Sequence, residues 1–161
     1  MSYNFLNFKL EDTIKNLIQS NDGPDCDVVT FGEIVARDSE LAEPYIAIRC
    51  MGSTEGSSDT QLNYCGNDRY FIAEVAIRTH AADELDGTTV IRTARQVHGD
   101  LCGQVMDMFF QENIVTDLNN SAAVVQGIQI SEIDQPIMDT GVIERSFVTS
   151  AKFRILCNST L

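Results

Sequence analysis

A chain of 161 residues with 43% hydrophobic content is long enough for one domain with a packed core and too apolar to remain disordered. Its 24 Asp and Glu against 11 Lys and Arg leave a net charge of −13, which argues against a protein that wraps nucleic acid through phosphate contacts. No apolar run reaches the length of a membrane span, and MSYNFLNFKLEDTIKN lacks the basic and apolar parts of a secretion signal, so an intracellular product without a membrane partner is expected.

The first element is FLNFKLEDTIKNLIQS. Leu6, Leu10, Ile14, Leu17 and Ile18 recur at three and four, the period of an amphipathic helix. Asn4 or Asn7 is the candidate cap, and Glu11 stands four before Lys15 in the favourable order. SNDGPD is a dense breaker cluster that ends it. VVTFGEIVARDSELAEP is mixed, with a short strand over 28–30 and a loose or briefly helical part around Glu40. PYIAIRC sets Ile46, Ile48 and Cys50 on one face of a strand. The glycine- and serine-rich stretch at 52–69 is long for a connection inside a compact domain. It reads as a flexible loop that touches a partner, with Asp59 and Tyr64 as candidate contacts.

YFIAEVAIRTH is a strand with Phe71, Ala73, Val75 and Ile77 toward the core and Ile72, Glu74, Arg78 and His80 on the other side. AADELDG breaks it. Val90, Ala94, Val97, Leu101, Val105 and Met108 then follow at helical spacing, predicting a helix of about twenty residues capped by Thr88 or Thr89. Gly99 and Gly103 sit inside it, where each costs about 1 kcal/mol against alanine. Close packing against the chain's own sheet is the preferred reason for them, and a neighbouring subunit the other. NIVTDLNNSA reads as a turn-rich passage. VVQGIQISEI is a strand with Val124, Ile128 and Ile130 inward. DQPIMDTG is a connection that Pro136 keeps from forming a ladder. The last strand alternates through Phe147, Ala151, Phe153, Ile155 and Cys157 and pairs antiparallel with the one before it.

The expected fold is α+β: one domain over 1–161, with a single mixed or antiparallel sheet of about four to five strands packed by two helices, in the order α-β-β-α-β-β. An extra short strand early in the chain is allowed for.

The chain is poor in reactive constellations. There is no HExxH, no phosphate loop followed by lysine and no GxSxG elbow. Five cysteines without CxxC, in a chain with ample core, argue against a disulfide scaffold. His98 and Cys102 stand four apart and share a helical face. A metal there needs a third ligand from afar, such as His80 or Cys50, and Cys–His catalysis needs a polar cleft. A core histidine beside a packed thiol is the plainer reading. Asp83, Glu84, Asp86, Asp100, Asp107, Glu132 and Asp134 are no more clustered than 24 acids make by chance. No catalytic residue, metal or cofactor is therefore expected. Arg92 and Arg95 stand out in a chain with few cations. They either bridge to nearby acids or pair with an acidic patch on another copy. The candidate interface residues are Arg92, Arg95, Gly99, Gly103, Asp59 and Tyr64.

The order of pieces, LEDTIKNLI, VVTFGE, EPYIAIRC, RYFIAEVAIRTH, TVIRTARQVHGDLCGQVMDMF and GVIERSFVTSAKFRIL, resembles that of the tail terminator proteins of long-tailed bacteriophages, over residues 5–157. The resemblance lies in element order and length, not in a strict motif. It implies a structural virion protein whose copies close into a hexameric ring on the completed tail tube. The ring provides the head–tail joining surface, and double-stranded DNA passes through it without specific binding. Its partners would be further copies of itself, the tail tube protein and a neck or connector protein. It would sit at the tail–head junction of the virion after assembly in the host cytoplasm. The alternatives are another neck or head–tail connector protein, a small hydrolase or metal-binding protein, and an acidic binding module for a basic partner.

Overall fold

The computed structural model describes residues 6–20, 23–30, 33, 42–53, 68–119, 125–134, 137–140 and 145–158. In chain order the elements are α1 (Leu6–Ser20), β1 (Asp27–Thr30), β2 (Tyr45–Ser53), β3 (Asp68–His80), β4 (Glu84–Asp86), β5 (Thr89–Arg92), α2 (Ala94–Phe109), α3 (Ile114–Asn119), β6 (Val125–Ile133), β7 (Ile137–Thr140) and β8 (Arg145–Asn158). The class is α+β, as the periodicities predict, and the early short strand is present as β1. The main sheet has six strands where four to five were expected, and β4 and β5 form a separate ribbon.

The sheet runs β1-β2-β3-β8-β6, with β7 also paired to β8. β1 is parallel to β2 and every other pair is antiparallel, so the sheet is mixed. Its spine is β3 against β8, strands of 13 and 14 residues that pair without a register shift along all of β3. One face carries Ile46, Ile48, Phe71, Ala73, Val75, Ile77, Ala151, Phe153, Ile155 and Cys157, all buried. Leu10, Ile14, Leu17 and Ile18 of α1, Val105, Met108 and Phe109 of α2, and Ile114 and Leu118 of α3 close over it. All three helices therefore lie on that face, which is the two-layer solution for a sheet with one apolar side. Among the described residues no helix is long and apolar enough to cross a membrane.

Several expectations are corrected. AADELDG does not simply end a strand. Gly87, at φ 64, turns the chain between Asp86 and Thr89 and makes β4–β5 a hairpin. The long helix consequently starts at Ala94 and has 16 residues. Its cap is Thr93, not Thr88 or Thr89. The Gln96 amide donates to the Thr93 hydroxyl and the Thr93 amide to the Gln96 side chain, a capping box. NIVTDLNNSA contains the short helix α3. Pro136 lies outside the described residues, but within the connection expected to be unordered Ile137–Thr140 pairs with β8 as β7. Gly52 and Ser53 belong to β2, and Asp68 and Arg69 to β3. The rest of the expected loop lies outside the described residues, as do Asn4, Glu40 and Val124.

β6 reaches the core by bulging. Val125 faces Cys157, Ile128 faces Ile155, Ile130 faces Phe153 and Ile133 faces Ala151. Two three-residue steps on β6 thus match two-residue steps on β8, and the extra residues keep four apolar side chains on one face.

α1 is tied to the sheet edge. β1 pairs with β2 only as far as Ile48. At Cys50, two residues on, the exposed backbone is taken up by the helix. The Cys50 amide donates to Glu11 Oε1 at 2.9 Å, and Asn7 Nδ2 donates to the Cys50 carbonyl at 3.1 Å. Asn7 is thus inside the helix and not its cap, and Glu11 is buried and not a partner of Lys15. Lys15 pairs instead with Glu33 at 2.7 Å. Gly23 follows α1 where a Cβ would lie 2.0 Å from the Ile18 carbonyl oxygen, so no side chain fits there.

Candidate functional site

Three features stand out beyond the core: a histidine nest beneath α2, a charged outer sheet face, and the β4–β5 hairpin.

The nest is centred on His98, which is 2% exposed. The inward stripe of α2 is Ala94, His98, Val105, Met108 and Phe109, one residue round from the expected Val97 line. His98 Nδ1 lies 2.8 Å from Thr79 Oγ1 of β3, and Nε2 lies 2.8 Å from Thr149 Oγ1 of β8. Cys102 Sγ is 3.5 Å from the same Nε2, and the Phe147 ring is 5.6 Å away. Burial holds the imidazole below its ordinary pKa, so at neutral pH it is uncharged and bonded through both nitrogens. Burial also pushes the Cys102 thiol up, against a hydrogen bond with Thr149, so the thiolate that a nucleophile requires is disfavoured. A cavity of about 530 Å³ opens beside the nest, lined by Arg95, His98, Gly99, Cys102, Ile133, Asp134, Phe147 and Thr149.

The neutral buried histidine sets a pH dependence. Its folded pKa lies below the ordinary 6.5, so its contribution to stability is complete above 6.5 and declines as pH falls through the lower folded value. The thermal midpoint should fall on going from about pH 7.5 to about pH 5.5. His98→Gln should lose about 1–3 kcal/mol at neutral pH, because at least one buried threonine hydroxyl is left without a partner, and should flatten that slope. Melting curves of the two proteins at both pH values check this.

His80 is not part of the nest. It lies on the opposite face of the sheet, with Nδ1 2.9 Å from Glu43 Oε2. Among the described residues Glu43 Oε2 has no partner in hydrogen-bond geometry. Arg78 and Ser146 both donate to Glu43 Oε1, each at 2.5 Å. Cys50 is buried in the core at the α1 edge, where burial holds its thiol protonated. His98 and Cys102 are therefore brought together, while His80 and Cys50 are held elsewhere. Among the described residues no group of three His, Cys, Asp or Glu side chains could hold a metal ion. The described cysteines, Cys26, Cys50, Cys102 and Cys157, are all free thiols.

The outer sheet face has a charge pattern that crosses strands. Arg49, Glu74, Lys152 and Glu132 are register neighbours on β2, β3, β8 and β6. They alternate in sign, with Arg49 to Glu74 at 2.9 Å and Lys152 to Glu132 at 3.2 Å. Ser150 also donates to Glu74 at 2.7 Å. Burial pushes the Glu74 carboxyl up, but Ser150 and Arg49 outweigh it and hold it below the ordinary range. The next row is Met51, Ile72, Arg154 and Gln129, where Arg154 lies 5.5 Å over the Tyr70 ring.

The hairpin is exposed on both strands, including Leu85 at 56%, Val90 at 48% and Ile91 at 58%. Arg92 braces it, reaching Glu84 at 2.6 Å and Asp100 on α2 at 2.9 Å. Asp83 accepts the Ala94 amide at 2.7 Å. Nothing in residue composition marked this ribbon as exposed; the Asp-Gly dipeptide is the signal that could have found it.

Of the expected interface residues, Arg92 is a brace within the chain, as its salt-bridging reading holds. Arg95 makes no ion pair among the described residues and stands at the cavity mouth. Gly99 and Gly103 do not pack against the sheet: both are exposed, and a Cβ on either would meet nothing within 4 Å. Gly99→Ala and Gly103→Ala should each stabilise the isolated subunit by about 0.5–1 kcal/mol, read as a rise in urea midpoint. A loss of stability in either variant contradicts this. Asp59 and Tyr64 lie outside the described residues.

No protein-family model matches the chain, and no curated protein matches it.

Proposed function

We propose that this protein is a structural subunit of the tail terminator kind, closing into a hexameric ring that caps a finished phage tail tube and presents the surface to which the head joins. The observation that carries the reading is a sheet face over which no helix is described. Helices cover one side of a long, rigid sheet, while the other side keeps half-buried aliphatic and charged side chains with no described helix over it. Such a face suits contact with another protein. The only histidine–cysteine pair among the described residues supports the same reading. Both imidazole nitrogens are engaged by threonines, and the thiol is held protonated, so neither group is poised as a base or a nucleophile.

The acidity agrees with this role. Six copies at −13 each give −78, a ring that repels DNA phosphates and lets the duplex slide. The partners are then other copies of the chain, the tail tube protein and a neck protein. The place is the tail–head junction, reached after assembly in the host cytoplasm. Electron microscopy of the purified protein mixed with its tail tube protein tests this. Rings at tube ends, and tubes that stop growing when the protein is added, are expected. Tubes that grow unchecked with no ring at any end contradict it.

A further inference from the structure

We propose that two copies of this chain pair antiparallel through the exposed face of α2, with Arg95 of each copy set against Asp107 of the other. The contact is two-fold and is not the join that closes a ring, so it does not rest on the reading above.

The first argument is charge. Arg95, Gly99, Gly103 and Asp107 follow one another in steps of four along α2, and all four are exposed. They form one ridge of the helix, with a cation at its start and an anion at its end. The only other side chain of α2 charged at neutral pH is Asp100, which Arg92 holds at 2.9 Å. Of the acids just before the helix, Glu84 is held by the same arginine and Asp83 accepts the Ala94 amide. Asp134 lines the far wall of the cavity beside Arg95 and does not pair with it. Neither Arg95 nor Asp107 has an ion pair or a side-chain hydrogen bond among the described residues. Twelve residues separate them, about 18 Å of helix, so they do not meet within one chain. Turning the ridge end for end about its midpoint exchanges them, and exchanges Gly99 with Gly103. A second copy of the same ridge, run antiparallel, therefore supplies the partner that each end lacks.

The second argument is shape. Two such ridges laid along each other cross their helices at about 50°, a common packing angle. Side chains in the middle of both ridges would hold the helices apart. Here the middle is Gly99 and Gly103, and a Cβ on either meets nothing of its own chain within 4 Å. The fold of the single chain has no use for either glycine, and each costs the helix about 1 kcal/mol against alanine. A second backbone that comes close at this point uses both.

The third argument is apolar. Phe110, which caps α2, is 65% exposed and stands seven residues past Gly103, on the same side of the helix. The two-fold that sets Arg95 against Asp107 carries Phe110 of each copy past the other's Arg95, to the side where the cavity of about 530 Å³ opens. An exposed aromatic ring and an open cavity on one face complement each other when that face meets its own copy. One crossing of two 16-residue helices is a small contact, so the pair is weak and reversible.

Sedimentation equilibrium on the full chain without tubes, over a range of concentrations, tests this, and a two-chain species is expected. Arg95→Asp and Asp107→Arg should each weaken pairing about tenfold, because each sets like charges together at both ends of the contact. The double variant carrying both should pair as the wild-type protein does. An equimolar mixture of the two single variants should give a one-to-one pair, since an aspartate then meets an arginine at both ends, and such a pair also shows that both variants fold. Gly103→Leu should weaken pairing at least about tenfold without lowering the urea midpoint, because leucine is the better helix former and its own chain leaves it room. If the charge variants pair as well as the wild-type protein, or their mixture gives no mixed pair, the contact is overturned. It is equally overturned if the wild-type protein shows no two-chain species at any concentration. Rings at tube ends in the same preparation would then leave the ring reading standing and remove the pair alone.

Discussion

Phe153→Ala is expected to remove about 3–5 kcal/mol of stability, the largest effect expected of any single core truncation. Phe153 is wholly buried at the middle of β8. Ala73 on β3 and Ile130 on β6 are its register neighbours, and the Phe109 ring of α2 stacks on it with centroids 4.2 Å apart and planes at 21°. The ring thus joins the spine of the sheet to the helix layer. Its loss opens a void that the long β3–β8 ladder is too rigid to collapse. A domain of this kind holds roughly 5–15 kcal/mol in total, so the variant should melt on the order of 10 °C lower or fail to fold at 37 °C. Phe153→Leu keeps most of the volume and should lose much less. Urea titrations of the three proteins measure the differences. A loss under about 1 kcal/mol for Phe153→Ala would place the core elsewhere.

Glu11 gives the second large effect, and its sign depends on the replacement. Glu11→Ala leaves the Cys50 amide with no acceptor at the edge of β2 and should cost about 1–3 kcal/mol. Glu11→Gln keeps an oxygen for that amide and removes a buried charge. Burial raises the Glu11 pKa above 4.5, partly opposed by the Cys50 hydrogen bond. A carboxyl whose folded pKa is raised contributes most when protonated, below its unfolded value, and that contribution is lost as pH rises through the folded pKa. Glu11→Gln should therefore gain on the wild-type protein from about pH 4 to about pH 8. Glu33 and Glu74 run the other way. Lys15 holds the first and Ser150 with Arg49 the second below the ordinary range, each against burial. Their contribution is present above 4.5 and lost as pH falls through their lowered values. Both proteins share that acid loss, so the difference between them isolates Glu11. A difference that does not change with pH would contradict the assignment.

Much of the fold was legible because its strands are long and strict in period. Phe71 to Ile77 and Ala151 to Cys157 alternate without a break, and the core face they predict is the one observed. The misses have physical causes. Val90 stands four residues before Ala94, so it joins the helical stripe by spacing alone, although Gly87 has already turned the chain into a hairpin. A bulge shifts the phase of a strand by one residue and leaves no mark on a period-two reading. Val125 is therefore a core residue of β6 that strict alternation through Ile128 and Ile130 misses. Glu11 looked like half of a surface pair because Lys15 follows it at the right spacing. Only the end of β1, two residues short of Cys50, shows why a carboxylate turns inward there.

The candidate site was less legible than the fold. The pairing of His98 with Cys102 could be read from their spacing. The threonines that neutralise it could not, because Thr79 and Thr149 lie 70 residues apart in the chain and meet only through the β3–β8 pairing. The outer charge row is hidden for the same reason. Arg49, Glu74, Lys152 and Glu132 become neighbours only when the strand order is known.

The central claim is that this protein works by joining copies of itself at the end of a tube. The mass of the full-length protein in solution, measured by native mass spectrometry from low to high concentration with and without the tail tube protein, tests it most directly. One closed species of six times 17.8 kDa is expected, appearing as concentration rises or when tubes are added. A mass of one chain under every condition, tubes included, would contradict it.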